Sequence, residues 1–224
     1  MVPLSFDGRQ WMATREGALF DPVSRTLVVA DLHLEKASWY AALGQMLPPY
    51  DSFATLSALT YLVDRLDPRA LWCLGDNFHD GGGPARLPRH ARDLIETLAA
   101  RLTFNWIVGN HDPALSDAFG GTVHAEGRLE GAALRHIARR DVAGPELSGH
   151  FHPKLRLTLR GRRVSRPCFV RAGEKLILPA FGSLTGGMDA FDPAIAVAAG
   201  RVSEALIVTD RRLVCFPNAV TEMI

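Results

Sequence analysis

The sequence predicts one α/β domain that spans residues 1–224. Three observations support this fold class. Short apolar runs, typical of buried strands, end abruptly in polar residues through the first two thirds of the chain. Two segments between these runs, residues 51–66 and 88–102, repeat apolar residues every three or four positions, as amphipathic helices do. After residue 153, apolar and polar residues alternate, which indicates strands.

The predicted elements first alternate between helix and strand and then become β-structure alone. They are expected at residues 4–30 (strands), 34–43 (helix or loop), 51–66 (helix), 70–74 (strand), 88–102 (helix), 104–108 (strand), 113–119 (short helix), 122–124, 132–136 and 146–148 (short strands), 155–160 and 175–178 (strands) and 194–215 (two or three strands). Because a helix separates the strands that end near residues 30 and 74, we expect those two strands to run parallel.

The composition is that of an ordinary globular protein. Of the 224 residues, 47% are hydrophobic and 22% are charged, and a chain of this length can bury a substantial core. The net charge is +1, so any attraction to nucleic acid must be local. Three cysteines without a spacing pattern, a start without a signal peptide and the lack of an apolar run of ~20 residues predict a cytoplasmic protein without membrane contact.

Metal-binding side chains follow four of the predicted strands. The four endings are Asp31-Leu32-His33, Gly75-Asp76-Asn77-Phe78-His79-Asp80, Gly109-Asn110-His111-Asp112 and Gly149-His150-Phe151-His152. Each ending alone is more often a surface turn or a helix cap than a functional site. Together, at four strand ends, they predict a metal site of nitrogen and oxygen ligands. We expect Asp31 and His33 to point the same way in extended backbone and Asp76 to bridge two ions, as in a two-metal phosphoesterase.

The order of these motifs, D-x-H, G-D, G-N-H-D and G-H-x-H, resembles that of the calcineurin-like metallophosphoesterase superfamily. Finer features resemble the bacterial ligase-associated DNA damage response endonuclease family PdeM. They are residues 31–36 (DLHLEK), 75–80 (GDNFHD), 149–153 (GHFHP) and 179–182 (PAFG), with Gly186-Gly187 shortly after. The resemblance runs from about residue 28 to residue 187. It implies a two-sheet β-sandwich flanked by helices.

The resemblance also implies two divalent metal ions, with Mn²⁺ expected first and Fe²⁺ or Zn²⁺ as alternatives. The two ions would share a hydroxide that attacks the phosphodiester. One ion would be held by Asp31, His33, His152 and Asp76, and the other by Asp76, Asn110, His150 and one more histidine. Nitrogen and carboxylate ligands suit these metals, and the lack of a thiolate argues against a structural zinc site.

Two histidines compete for the last ligand position. Leu134-Arg135-His136 ends an apolar run, as the other ligands do, and matches the Leu-Arg-His of the family. His124 lies in a polar neighbourhood rich in glycine. We therefore predict that His136 is the ligand and that His124 is a surface residue.

The remaining polar residues of the motifs are candidates for catalysis and substrate binding. His111 is expected to face the scissile phosphate and to protonate the leaving oxygen or stabilise charge there, while Asp112 orients its ring and keeps it cationic. Most superfamily members have G-D-x-x-D in the second motif, whereas this chain has His79 at the last position. A phosphate contact and a hydrogen bond to a metal ligand are both open roles for His79. Lys36 is expected to reach the substrate, although a lysine at a helix start is more often solvated.

Residues 154–172 contain seven positive residues and no acidic one. A solvated hairpin would normally mix in acids, so this stretch suits a polyanionic substrate near the metal site. Alternation predicts that Arg156 and Arg160 share a wet face, and together with Arg163 they are candidate substrate contacts. Aromatic residues are scarce in this stretch, so sequence readout by base stacking is not expected there.

Three hypotheses for the function follow. The first, implied by the resemblance, is an endonuclease for DNA, with single-stranded DNA as the first expected substrate. It would act in DNA repair together with a DNA ligase, an exonuclease or a helicase. The second is a phosphoesterase for small nucleotides or phosphomonoesters. The third is an interaction module without catalysis, which the full ligand set and His111 argue against. Activity on polynucleotides against mononucleotides separates the first two hypotheses.

Overall fold

The structure is a computed structural model that describes residues 1–116 and 119–218, without the side chain of Leu159. It confirms the predicted α/β class with two sheets flanked by helices. The first sheet has seven strands in the order β1 to β7. They are β1 (Val2–Phe6), β2 (Arg9–Ala13), β3 (Leu19–Asp21), β4 (Thr26–Val29), β5 (Ala70–Leu74), β6 (Thr103–Ile107) and β7 (Thr122–His124). The first four strands are antiparallel, and β4 to β7 are parallel, as predicted for β4 and β5.

The second sheet also has seven strands, in the order β16-β15-β13-β14-β10-β9-β8. They are β8 (Gly127–Leu129), β9 (Ala132–Leu134), β10 (Glu146–Ser148), β13 (Phe169–Ala172), β14 (Lys175–Ile177), β15 (Glu204–Val208) and β16 (Leu213–Pro217). Its central strands β9, β10 and β14 are parallel. The strands β11 (Lys154–Leu159) and β12 (Arg162–Pro167) form a separate antiparallel hairpin.

Five helices complete the described part of the chain. They are α1 (Lys36–Ala42), α2 (Asp51–Leu66), α3 (Gly83–Arg86), α4 (Arg89–Arg101) and α5 (Pro193–Ala199). The amphipathic patterns at residues 51–66 and 88–102 therefore correspond to α2 and α4. Within the described residues, no helix combines the length and the apolar character needed to cross a membrane.

Strand β4 shows why the central strands are apolar on both faces. Leu27 and Val29 pack toward the helices, in the same core cluster as Leu59 of α2. Val28 points to the other side and belongs to the cluster between the sheets, with Leu147 of β10. A strand that is covered on both faces needs continuous rather than alternating apolar residues. The layers are thus helices, first sheet, second sheet and helix α5, whose Ile195 packs on the outer face of the second sheet.

Two predicted elements differ from the structure. Residues 194–215 contain the helix α5 before two strands, because Asp192 caps that helix through its side chain and Pro193 fits its first turn. The short helix expected at 113–119 is not formed by the described residues 113–116, which make a turn, and residues 117–118 of that segment lie outside the described residues.

Candidate metal centre

The polar motifs meet where the carboxyl ends of parallel strands from both sheets converge. The loops after β4, β5 and β6 come from the first sheet, and the loops after β9 and β10 come from the second. The structure gathers the predicted ligands into two groups whose nitrogen and oxygen atoms lie within 4.8 Å of one another and which could each hold a metal ion. The groups are Asp31, His33, Asp76 and His152, and Asp76, His136 and His150.

The loops that carry these ligands are not extended, so the predicted reason for the pairing of Asp31 with His33 is wrong. Strand β4 ends at Val29, and Asp31 and His33 both have left-handed backbone, with φ of 54° and 45°. The loop after β5 runs beside them, because the N–H of Asp31 donates to the carbonyl of Gly75 at 3.2 Å and that of His33 to the carbonyl of Asp76 at 2.9 Å. Left-handed residues other than glycine are strained, and such strain concentrates at functional sites.

In the first group, ring nitrogens and carboxylate oxygens face a common point. Nε2 of His33 lies 3.1 Å from Nε2 of His152 and 3.7 Å from Oδ2 of Asp76. Nε2 of His152 lies 3.6 Å from Oδ1 of Asp31. Burial and the neighbouring His152 lower the pKa of His33 to about 2, which keeps its ring neutral. A neutral imidazole is the form that binds a metal.

In the second group, His136 uses its two ring nitrogens differently. Nδ1 donates to the carbonyl of Leu74 at 3.0 Å, which fixes the ring orientation. Nε2 points into the centre, 2.8 Å from Oδ1 of Asn110, 3.1 Å from Nδ1 of His150 and 3.3 Å from Oδ1 of Asp76. Burial alone would lower the pKa of His136, but its hydrogen bond to Asp76 raises it. A positive charge is therefore favoured at this point.

Asp76 belongs to both groups through different oxygens. Its Oδ2 faces His33, and its Oδ1 faces His136. The side chain is 2% exposed, and burial would raise its pKa, but the hydrogen bond from His136 and the charges nearby hold that pKa below its usual range. A carboxylate with one oxygen on each side is suited to bridge two cations.

The donor set fits divalent metal ions. Buried carboxylates and imidazoles turn their lone pairs toward one another, and pairs of ring nitrogens lie only 3.1 Å apart. A cation satisfies such convergent lone pairs. Two neutral rings can satisfy each other only partly, because a single proton can lie between the two facing nitrogens. Imidazole and carboxylate donors of this kind suit a divalent metal ion.

His124 lies elsewhere. Its Nε2 is 3.0 Å from Oδ1 of Asn105, and its ring is 5.0 Å from that of Trp72. Within the described part of the chain, His124 is in neither donor group, which agrees with the choice of His136.

Two glycines let the loops approach the carboxylates closely. A Cβ on Gly109 would lie 2.2 Å from Oδ1 of Asp76, and one on Gly149 would lie 2.6 Å from Oδ2 of Asp31. An amide one or two residues further along each loop then donates to the same carboxylate, from His111 at 2.9 Å and from His150 at 2.9 Å. Any larger residue at either position would push the loop away from its carboxylate.

His111 stands at the open side of the centre, with its side chain 37% exposed and its Nε2 4.0 Å from Oδ2 of Asp76. The expectation that Asp112 orients its ring is wrong. Nδ1 of His111 lies 2.6 Å from the carbonyl oxygen of His79, to which it donates, while the carboxylate of Asp112 accepts N–H groups of Gly109, Asn77 and Phe78. Asp112 thus ties the His111 loop to the Asp76 loop.

His79 forms a further group with His33 and His111, in which one ring nitrogen from each histidine lies within 4.8 Å of the others. Its Nδ1 is 3.3 Å from Nδ1 of His33, and its ring stacks on that of His111 with centroids 5.0 Å apart. Burial, followed by the charges of Lys36 and His111, lowers the pKa of His79 to about 4. Of the two open roles, this geometry favours the hydrogen bond to a metal ligand.

The remaining candidate residues surround the centre. Lys36 begins α1 directly after the His33 loop and is partly exposed. Arg156 lies on β11 and shares a face with Arg163 of β12, because Arg156 is opposite Ser165 and Thr158 is opposite Arg163. The prediction that Arg160 shares that strand face is wrong, since β11 ends one residue earlier and Arg160 is a left-handed turn residue with φ of 49°.

Sequence reasoning missed the aromatic neighbours of His79. The ring centroids of Trp39 and His79 are 4.8 Å apart, and the ring of Tyr40 lies nearly parallel to that of His79 at 6.3 Å. Both aromatic residues belong to α1, whose position against the second motif is a tertiary feature. The missed signal was a pair of adjacent aromatic residues a few positions after the D-x-H motif.

The chain is similar to known proteins in sequence and in fold. The family model described as calcineurin-like phosphoesterase matches residues 24–160, more than half of the chain. The crystal structure of Pseudomonas putida nuclease MPE is 30% identical with a TM-score of 0.72 and covers 92% of this chain and 95% of that chain. Yfce, a phosphoesterase from E. coli, is 14% identical with a TM-score of 0.40, covering 86% of this chain and 98% of that one. None of the curated proteins compared with the chain matches it.

The shared position of Asp76 generates the first prediction. Asp76→Ala removes a carboxylate that faces both donor groups, so the variant should retain fewer than two Mn²⁺ ions per chain after dialysis. The affinity for Mn²⁺ should fall by at least 10- to 100-fold, which is the loss typical of removing a residue that only hydrogen-bonds to a metal ligand. Elemental analysis of the dialysed protein measures the number of Mn²⁺ ions that each chain retains. Asp80→Ala is the matched control, because Asp80 lies on the same loop and pairs with Arg86. Two ions retained in Asp76→Ala would contradict the shared role.

The second prediction compares the two histidines that competed for one ligand position. His136→Ala should weaken binding of the second Mn²⁺ ion by more than about 10-fold, because its Nε2 points into the centre. His124→Ala should keep both ions and lose only about 1 kcal/mol of unfolding free energy with its hydrogen bond to Asn105. Isothermal titration with Mn²⁺ and urea unfolding measure the two effects. Normal titration of His136→Ala would rule out its assignment.

Proposed function

Because the chain belongs to the calcineurin-like phosphoesterase family and is a metal-dependent hydrolase, we propose that it is an endonuclease for single-stranded DNA that acts in DNA repair. The observation that carries this proposal is the pair of donor groups that share Asp76, with an exposed imidazole on one side and an arginine-rich hairpin near by. The similarity to the P. putida structure, which is that of a nuclease, supports it. The proposal places the enzyme in the cytoplasm, beside a DNA ligase, an exonuclease or a helicase.

In this proposal the two donor groups hold two divalent ions, and we favour Mn²⁺ because hard oxygen and imidazole donors suit it. The first ion is assigned to Asp31, His33, His152 and Asp76, and the second to Asp76, Asn110, His136 and His150. When bound, such ions polarise the phosphoryl oxygens and supply a nucleophile at neutral pH. A hydrogen bond between Nδ1 of His79 and Nδ1 of His33 orients that ligand.

His111 is proposed as the general acid for the leaving oxygen. Its Nδ1–H donates to the backbone carbonyl of His79, which fixes the ring and leaves Nε2 free to face the substrate. That Nε2 lies 4.0 Å from Oδ2 of Asp76, at the open side of the centre. Asp112 supports the step indirectly, because it accepts the amides of the loops that carry His111 and Asp76.

The hairpin supplies a place for the rest of the strand. It begins two residues after His152, and its base is tied to the loop beside the centre, where Lys154 donates to the carbonyl of Thr185 and Arg156 to that of Gly187. Arg156 and Arg163 are exposed on a common face. With a net charge of only +1 in the whole chain, a local patch of this kind must provide the attraction to a polyanion.

The direct test of the proposal uses circular single-stranded DNA, which has no ends for an exonuclease. The protein with Mn²⁺ should linearise the circle and then shorten it, and a circular duplex of the same length should react more slowly. Gel electrophoresis measures both reactions. Hydrolysis confined to nucleotides or aryl phosphates would favour the small-molecule phosphoesterase instead.

The third prediction concerns the proton that His111 gives to the leaving oxygen. His111→Ala should retain both Mn²⁺ ions but lose about 10²- to 10⁴-fold in the rate of DNA cleavage, as is typical of a lost acid. The loss should be much smaller for bis(p-nitrophenyl) phosphate, since nitrophenolate leaves without protonation. Steady-state rates on both substrates measure this difference. Equal losses on both would show that His111 only positions the substrate.

The fourth prediction concerns the hairpin. Replacing Arg156, Arg160 and Arg163 together by glutamine should raise KM for single-stranded DNA and flatten its salt dependence. Each lost phosphate contact removes about 0.7 from the slope of log affinity against log salt. Hydrolysis of bis(p-nitrophenyl) phosphate should be unchanged, because the metal ligands and His111 are intact.

The matched control neutralises three arginines at the opposite ends of the parallel strands. Three exposed arginines lie near the amino ends of β5 and β6, whereas the metal-binding loops follow the carboxyl ends of these strands. They are Arg65, Arg69 and Arg101. Their replacement changes the net charge equally but should leave the salt slope unchanged. An equal flattening by both triple variants would assign the effect to net charge rather than to the hairpin.

A further inference from the structure

Two aromatic side chains of α1, Trp39 and Tyr40, form a surface beside the metal centre that the proposed chemistry does not use. We call this pair the aromatic wall. The two rings are 5.0 Å apart at an angle of 80°. Trp39 contacts the ring of His79 edge to face at 4.8 Å, and His79 in turn stacks on His111. The wall is thus separated from the proposed general acid by a single imidazole.

Packing on His79 accounts for only part of the wall. Both Trp39 and Tyr40 remain partly exposed, although large aromatic rings usually bury most of their surface in a core. The loop that follows α1 continues this apolar exposure, since Leu43, Met46 and Tyr50 are 59%, 83% and 69% exposed. Large apolar side chains that stay in water next to a catalytic centre indicate a surface for a ligand.

We propose that the aromatic wall is a stacking subsite for an unpaired base of the substrate strand, next to the scissile phosphate. This inference rests on the proposed function and deepens it, because it names what holds the nucleotide in place. An aromatic ring stacks on any nucleobase, since every base has a π-face, so the subsite would be tolerant of sequence. Lys36 begins the same helix, so one helix offers both a cation for a phosphate and rings for a base.

The wall also gives a physical reason for the preference for single strands. In a duplex, both faces of each base are covered by neighbouring base pairs, and a ring can stack only after a base has been unstacked at a cost of free energy. An unpaired strand exposes its base faces without that cost. The hairpin arginines contact phosphates, which both forms of DNA offer, whereas the wall contacts a surface that only the single strand offers freely.

The binding test avoids catalysis altogether. A fluorescein-labelled single-stranded oligonucleotide is titrated with protein in the presence of EDTA, and its anisotropy gives Kd. Trp39→Leu and Tyr40→Leu should each weaken binding by about 5- to 150-fold, the range for one lost stacked base. Trp39→Phe should restore most of the affinity, because it restores a ring. Tyr61→Leu is the matched control, since Tyr61 is an exposed aromatic residue of α2.

The cleavage test pairs the variants with a substrate that lacks one base. Single-stranded oligonucleotides carry an abasic site at each position around the cut in turn. For the wild-type protein with Mn²⁺, one position should show a loss of about 5- to 150-fold, and Trp39→Leu should abolish the additional loss at that position only. This coupling separates stacking from packing on His79, because packing affects intact and abasic strands alike.

The outcomes are distinct. Coupling at one position, together with rescue by Trp39→Phe, supports the stacking subsite. Equal losses on intact and abasic strands, or unchanged Kd in both leucine variants, overturn it while the proposed nuclease function stands. A wild-type protein that neither binds nor cuts DNA overturns both. A protein dimer that dissociates in Trp39→Leu without a change in oligonucleotide affinity would assign the wall to a second copy of the chain and overturn the inference.

Discussion

Asp31 and Asp76 are carboxylates with 0% and 2% exposure, and a buried charge is tolerated only where hydrogen bonds and opposite charges replace the lost water. Each of them accepts a backbone N–H from a loop that belongs to another strand. The amide of His150 donates to Asp31, and the amide of His111 donates to Asp76. The conformations of the surrounding loops follow from this requirement, and so does the need for glycine at residues 109 and 149, where any side chain would collide with a carboxylate.

The same requirement explains why strain is concentrated here. Asp31, His33, Asp76, His150 and His152 all have positive φ, which L-residues adopt at a cost of about 1–3 kcal/mol each. The loops bear this cost because left-handed residues turn the chain sharply at the strand end and bring several side chains of one short loop to a common point. A fold that relaxed these residues would separate the ligands, so the strain is the means by which short loops form a compact centre.

Much of this arrangement could be predicted from the sequence, because strand ends and metal-binding residue types are local signals. The runs before Asp31, Asp76, Asn110 and His150 are strands, and the side chains after them do meet. The partner of His111 could not be predicted, since Asp112 is adjacent in sequence whereas the carbonyl of His79 arrives from another loop. Trp39 was missed for the same reason: the sequence of α1 does not say which loop its aromatic residues contact.

The position of the centre between two sheets connects metal binding with folding. Asp31, His33, Asp76 and Asn110 follow strands of the first sheet, and His136, His150 and His152 follow strands of the second. A cation held by both sets can bind only when the sheets are packed together, so it adds to the stability of that packing by mass action, by about 2.7 kcal/mol at a free concentration of 100 times Kd. The hydrogen bond between His136 and Asp76 joins the two sheets at the same place, and it raises the pKa of His136 against the effect of burial.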